Sequence, residues 1–110
     1  MARRRKPADA AGRLAAAGDG RFELSGELGF DDAARLLAEG DSAFGSLQEA
    51  EVDLSGVGRA DSAGLALLLE WSVAAAAAGR SLRYRNIPSA IASLAGISDV
   101  AELLSPPGGG

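Results

Sequence analysis

Apolar residues recur along the chain at two spacings, and together these spacings predict eight secondary-structure elements. Alternation of apolar and polar residues, typical of half-buried strands, predicts strands at residues 13–17, 21–25, 51–54 and 81–85. Apolar residues three and four apart, typical of amphipathic helices, predict helices at residues 31–44, at 62–78, from Pro88 to Ala95, and around Val100, Leu103 and Leu104. Strands that alternate with helices form largely parallel sheets. The order ββαβαβαα therefore predicts an α/β fold, with a single mixed, mainly parallel four-stranded sheet covered by about four helices.

Glycine-rich segments mark where these elements begin and end. Gly18-Asp19-Gly20 predicts the turn of a hairpin between the first two strands, and residues 26–29 are expected to end the second strand. A tight turn is expected at residues 55–58, and Gly79 is expected to end the long helix. Gly40 lies inside the first predicted helix and weakens its prediction, because glycine is a poor helix former.

We expect one domain, at residues 13–104, between two tails. The chain has 110 residues and a mass of 11.0 kDa, which suits a single small domain. Residues 1–12 are expected to form a disordered basic tail, because they combine Arg, Lys, Pro, Ala and Gly without periodicity. Residues 105–110 contain Pro and Gly but no core residue, and are expected to form a flexible tail.

Composition and charge exclude several kinds of function. The formal net charge is −4, and an acidic body lacks the clustered basic face that nucleic acid requires. The chain contains no cysteine and no histidine. Disulfides and thiolate metal sites are therefore excluded, and the commonest general base is absent. The apolar runs Leu65–Leu69 and Val73–Ala78 are too short to span a membrane, so we expect a cytoplasmic protein with no direct membrane insertion.

The most informative segment leads from the third strand into the long helix. Asp61-Ser62 opens that helix and places a carboxylate and a hydroxyl at its start, where backbone N–H groups lack helical partners. Two interpretations are open at this point. The pair could be a structural N-cap, worth about 1 kcal/mol whatever the function, or it could form a contact surface for a partner.

The helix that follows carries apolar residues on two faces. One face, expected to pack on the sheet, consists of Leu65, Leu68, Leu69, Ser72 and Ala76. A second apolar face, which is more than a surface helix needs, consists of Leu67, Trp71, Ala74 and Ala78. Trp71 has two interpretations that the sequence leaves open. It either fills the gap between neighbouring helices or anchors a partner, because tryptophan is over-represented in docking surfaces.

Catalysis is not predicted. Ala60-Asp61-Ser62-Ala63-Gly64 looks like a degenerate nucleophile elbow of a hydrolase, but without histidine Ser62 lacks its usual base. A serine hydrolase would require covalent labelling of Ser62 by a serine-directed probe, and we expect none. The sequence also lacks a Walker-type loop and a carboxylate set suited to a metal. We therefore predict neither a cofactor nor a metal.

Three segments together resemble STAS domains, the fold of anti-sigma-factor antagonists and of the cytoplasmic STAS subunit of the Mla phospholipid transporter. The resemblance covers residues 21–104 and is carried by residues 22–28, 52–71 and 82–88. It implies a module that regulates by docking. In the antagonists a kinase phosphorylates the second of two successive hydroxyl residues, whose place here is taken by Ala63. An acidic residue tends to follow their Gly-Glu-Leu turn, where this chain has Gly29. Both departures count against a phosphorylation switch.

The single hydroxyl residue followed by two small residues looks like the Mla STAS subunit. That resemblance implies a non-catalytic regulatory or assembly subunit that binds the ATPase of an inner-membrane phospholipid ABC transporter. ATP and lipid would be bound by other subunits, and the chain would be peripheral to the inner membrane through its partner complex. The expected partner-binding residues are Asp61, Ser62, Ala63 and Gly64, to which the second helix face adds Leu67 and Trp71. The alternative is an anti-sigma-factor antagonist that binds a kinase-like anti-sigma factor.

Overall fold

The computed structural model describes residues 11–98, 100 and 104, which form an α/β fold with one four-stranded mixed sheet and three helices. The elements, in chain order, are β1 Arg13–Gly18, β2 Arg21–Leu28, α1 Phe30–Phe44, β3 Glu49–Ala60, α2 Ser62–Ala77, β4 Ser81–Arg85 and α3 Ser89–Ile97. The predicted class and sheet are confirmed, whereas three helices are found instead of about four. The predicted last helix falls mainly outside the described residues, as do residues 1–10 and 105–110 of the two predicted tails.

The sheet has the spatial order β1-β2-β3-β4, so successive strands are neighbours. The β1–β2 pair is antiparallel, whereas the β2–β3 and β3–β4 pairs are parallel. The predicted hairpin turn is present. Gly18, Asp19 and Gly20 all have positive φ, at 95°, 57° and 77°, which glycine, and to a lesser extent aspartate, adopts readily.

Strands β2 and β3 are longer than the sequence predicts. β3 continues to Ala60, so the predicted tight turn at 55–58 is wrong, and β2 passes through Gly26 to Leu28. The pairing of β2 with β3 shifts register on both sides of Ser25 and Gly26. Glycine suits such irregular pairing, because it has no side chain to obstruct a close approach of the two backbones. A Cβ on Gly56 would lie 2.9 Å from the Ser25 Cβ. These glycines therefore mark irregular pairing within the strands.

The three helices cover one face of the sheet. Along β2, β3 and β4 all buried residues are even-numbered, so the buried side chains lie on a single face of the sheet. The opposite face is polar and carries, for example, the Arg85–Glu51 ion pair at 3.2 Å. The largest fully buried side chains are Trp71, Leu24, Leu28, Leu36, Leu54, Leu68, Ile91 and Val52. Within the described ranges, no helix has the length and apolar character needed to cross a bilayer.

Trp71 lies between α1 and α2 at the centre of the core. Its ring meets Phe44 edge to face, with centroids 5.2 Å apart, and its Nε1 donates to the Leu37 carbonyl at 3.3 Å. Gly40 lies directly against the indole, since a Cβ there would come within 2.2–2.5 Å of three ring atoms. The glycine that weakens the helix prediction is therefore the residue that makes room for Trp71.

Gly40→Ala is expected to lower the free energy of unfolding by about 1–3 kcal/mol, the usual cost of overpacking a core. Gly96→Ala is the matched control, because Gly96 is also helical and its Cβ would have nothing within 4 Å. That variant should be neutral or stabilised by up to about 1 kcal/mol. Denaturant unfolding followed by the fluorescence of the single tryptophan measures both. Equal stabilities for the two variants would contradict the packing described.

Tyr84 is the only tyrosine, and burial raises its pKa above the ordinary value of 10.0. Its hydroxyl donates to the Leu68 carbonyl at 2.7 Å. The pKa of Tyr84 is higher in the folded than in the unfolded chain. The stability contributed by its neutral, buried hydroxyl is therefore complete below about pH 10 and is lost as the pH rises further. In an alkaline titration, phenolate absorbance should appear together with loss of the fold. Ionisation near pH 10 with the fold intact would contradict this.

Candidate protein-binding site at the start of α2

The site lies where two parallel strands end side by side. β2 ends at Leu28 and β3 at Ala60, and these two residues are partners in the sheet. Because carboxyl ends of parallel strands share one edge of a sheet, α1 and α2 both begin there. The Asp61 N–H donates to the Leu28 carbonyl at 3.3 Å and ties the start of α2 to the end of β2.

Asp61 is the N-cap of α2, so the capping interpretation is confirmed. Its backbone is extended, with φ −120° and ψ −165°, and its Oδ1 accepts from the Ala63 N–H at 2.8 Å. The Gly64 and Leu65 N–H groups donate to the Asp61 carbonyl at 2.9 and 3.3 Å. Asp61 and Ser62 are nevertheless exposed, and Ala63 is partly exposed. The cap thus faces solvent while it completes the first turn.

Gly64 is buried beneath this turn. A Cβ at Gly64 would lie 2.7 Å from the Leu28 carbonyl oxygen and 2.9 Å from the Leu28 Cβ. Both separations are shorter than side chains accept, so any larger residue would move α2 away from β2. Gly64 therefore allows the start of α2 to lie close against the end of β2, and this close approach fixes the position of the site.

Leu67 and Trp71 do not lie on an exposed face. They are only 2% and 1% exposed, so the exposure that the sequence-based expectation assumed is not found, and their contact with a partner stays a prediction. They are buried because α1 packs along that side of α2 and supplies Leu37, Gly40 and Phe44 to the contact with the indole. Of the two interpretations of Trp71, the structure favours the core residue.

The exposed face of α2 is a different stripe, which sequence reasoning missed. It consists of Ser62, Ala66, Glu70, Val73 and Ala77, and we call it the α2 outer stripe. Its members are spaced by three or four residues, as one face of a helix requires. Val73 is 58% exposed, and Glu70 is the only charged member. Counting in steps of three and four residues from Ser62, as for the two apolar faces, would have identified this stripe in the sequence.

Phe30 adds an exposed aromatic ring at the start of the neighbouring helix α1. It is the first residue of α1 and is 84% exposed. It follows Gly29, where a Cβ would lie 3.6 Å from the Asp61 Oδ2, so the starts of α1 and α2 are neighbours. We call Phe30, Asp61, Ser62 and Ala63 the α2 entrance. No helical or strand periodicity marks Phe30 in the sequence, and its exposure is evident only from the tertiary structure.

Chemically, the entrance offers contact surface. It presents one hydroxyl, one carboxylate, a methyl group and an aromatic ring, and Asp61 also lines a shallow depression together with Glu27 and Arg59. In the part of the chain that the structure describes, no three His, Cys, Asp or Glu side chains cluster as a metal site would require. An exposed Phe and exposed small residues suit the packing of another protein, because aromatic anchors are enriched at such interfaces.

Comparisons with known proteins agree with this fold and add a family. The model of the family described as "Mlab, STAS domain" matches residues 12–105. Several solved structures are similar, and two of them are structures of SpoIIAA. The Bacillus cell fate determinant SpoIIAA in its phosphorylated form has a TM-score of 0.65 at 16% identity, over 84% of this chain and 87% of that one. The anti-sigma factor antagonist SpoIIAA in its unphosphorylated form has a TM-score of 0.61 at 17% identity, over 76% and 80%.

Among curated protein sequences, none matches this chain. The two solved structures are too distant in sequence to carry more than the fold, whereas the family model spans nearly all of the described residues. The match begins at Gly12, which the sequence assigns to a tail. Gly12 is buried, and its carbonyl accepts from the Arg35 Nη2 at 2.8 Å. The chain belongs to the family of MlaB-type STAS domains.

Proposed function

We propose that the chain is a non-catalytic regulatory or assembly subunit that binds the ATPase of an inner-membrane phospholipid ABC transporter. The observation that carries the proposal is the exposed turn Asp61-Ser62-Ala63, which continues into the α2 outer stripe. The turn has the single hydroxyl residue that makes it look like the Mla STAS subunit. The proposed location is the cytoplasm, peripheral to the inner membrane through the partner complex.

The character of the surface supports a protein partner. The α2 outer stripe combines small residues and Val73 with a single charge, and Phe30 is exposed at the start of the neighbouring helix α1. The centres of protein interfaces are depleted of charge and contain aromatic anchors. Small side chains on α2 also allow a partner backbone to come close to the helix. ATP and lipid would then be bound by other subunits, and we propose no cofactor for this chain.

The exposed turn also supports a contact without phosphorylation control. Ala63 occupies the place of the second hydroxyl residue and has no oxygen to phosphorylate. Ser62 is exposed, and its hydroxyl can donate and accept hydrogen bonds in such a contact. The second candidate is an anti-sigma-factor antagonist, which the similarity to SpoIIAA favours at the level of the fold. The identity of the bound partner separates the two candidates.

Ser62→Arg should weaken binding to the transporter ATPase at least tenfold, because a long cation would occupy the centre of the proposed contact. The unfolding free energy should fall by less than about 1 kcal/mol, the cost of a cation near a helix N-terminus. Binding is measured by co-purification of the tagged full-length chain from solubilised native membranes. Quantitative titration with the purified ATPase then gives the dissociation constants.

Ser46→Arg is the matched control, since Ser46 is exposed in the α1–β3 connection, at the opposite end of α1 from the entrance. That variant should bind like the wild type. Retention of full binding by Ser62→Arg would remove the proposed surface. Co-purification of a kinase-like anti-sigma factor without transporter subunits would contradict the transporter assignment and support the second candidate.

Phe30→Ala should weaken the same binding about tenfold, as truncation of an aromatic anchor commonly does. Its stability should change by no more than about 0.5 kcal/mol, because the ring is 84% exposed. Ile97→Ala tests whether any exposed apolar residue has this effect, since Ile97 is 83% exposed at the end of α3. Equal affinities for the two alanine variants would show that Phe30 is not part of the contact.

A further inference from the structure

The sheet is open at its β1 edge. β1 pairs with β2 on one side and, within the described part of the chain, no strand lies on its other side. An edge strand presents a row of unpaired N–H and C=O groups that another strand can join. Five of the six β1 residues are exposed, and Leu14 is partly exposed. No described helix or loop therefore shields this edge.

The two edges of the sheet differ in charge. The β4 edge carries two exposed arginines, Arg83 and Arg85, within five residues, and charged side chains discourage the addition of a strand. In β1 the only charged residue is Arg13, and residues 14–17 are uncharged. The β1 edge thus lacks the protection found at the β4 edge.

An apolar groove runs beside β1 on the helix side of the sheet. Its walls are formed by β1, β2 and α1, and it is lined by Leu14, Ala16, Phe22, Ala38, Glu39, Ser42 and Ala43. A strand added at the β1 edge would extend the sheet next to this groove. Apolar side chains on that strand would then share the surface that Leu14 and Ala16 expose.

The order of charges along β1 identifies a fitting occupant. A strand that pairs antiparallel with β1 is favoured by a negative charge near Arg13, at the start of β1, and by a positive charge near Asp19, in the turn just beyond its end. β1 itself meets both requirements, since an antiparallel second copy places its Asp19 end beside Arg13 and its Arg13 end beside Asp19. We propose that the β1 edge binds a second copy of this chain, forming a dimer with one continuous sheet.

The twofold axis of such a pair is perpendicular to the sheet, so the helices of both copies lie on the same face and the two grooves become neighbours. α2 contacts β3 and β4, whereas the proposed dimer interface lies at the free edge of β1. A dimer therefore presents two copies of the α2 outer stripe. The proposal does not depend on the identity of the partner that α2 binds.

The test uses sedimentation velocity of the full-length chain over a wide range of concentrations. The wild type should show a monomer–dimer equilibrium. Arg13→Glu and Asp19→Lys should each weaken dimerisation about tenfold or more, because each places like charges together at two symmetric positions. Circular dichroism verifies that both variants remain folded. Arg83→Glu, a matched charge reversal at the β4 edge, should dimerise like the wild type.

The decisive arm mixes the two charge variants. In a mixed dimer Glu at position 13 faces Lys at position 19, and the native Arg13 of one copy faces the native Asp19 of the other. An equimolar mixture should therefore dimerise more tightly than either variant alone. A wild type that stays monomeric at every concentration, or a mixture that dimerises no more tightly than either variant alone, would overturn the proposal.

Discussion

The close approach of α2 to the end of β2 is the constraint on which the candidate surface depends. Gly64 has no side chain, so the first turn of the helix can lie against Leu28. The Asp61 N–H then reaches the Leu28 carbonyl, and the Asp61 carboxylate caps the turn. With the helix fixed in this way, Leu65 and Leu68 point into the core, and Ser62 and Ala66 point outward.

A structural cap and a contact surface are compatible in the same few residues. The cap uses one carboxylate oxygen of Asp61 and the N–H of Ala63, while the Ser62 side chain remains exposed. A docking surface benefits from this rigidity, because a surface that is already ordered loses less conformational entropy when it binds. The hydrogen bonds that stabilise the helix start would in this way also prepare it for binding.

The sequence predicts the elements well where local signals decide them. Asp61 is recognisable as an N-cap and Gly79 as a helix end, and both are found. The lengths of β2 and β3 are not predicted, because glycine within a strand looks like a turn until its partner strand is known. Gly26 and Gly56 show this, since both lie within paired strands.

The candidate site shows the same limit. The position of Ser62 at an exposed helix start follows from sequence alone, whereas the faces of α2 depend on which side α1 covers. Two apolar faces on one helix cannot be ranked without that knowledge, so Trp71 is equally consistent with a core and a surface role in the sequence. The indole fits only because α1 supplies Gly40 opposite it, a contact between residues 31 positions apart.

The most direct test of the central claim is site-specific photo-crosslinking in the native cell. A photoreactive amino acid replaces Ser62 in one strain and Ser46 in another. If the start of α2 is the docking surface, position 62 should cross-link to an ABC transporter ATPase and position 46 should not. No cross-link from position 62 in cells that contain the assembled transporter, or the same product from both positions, would contradict the account.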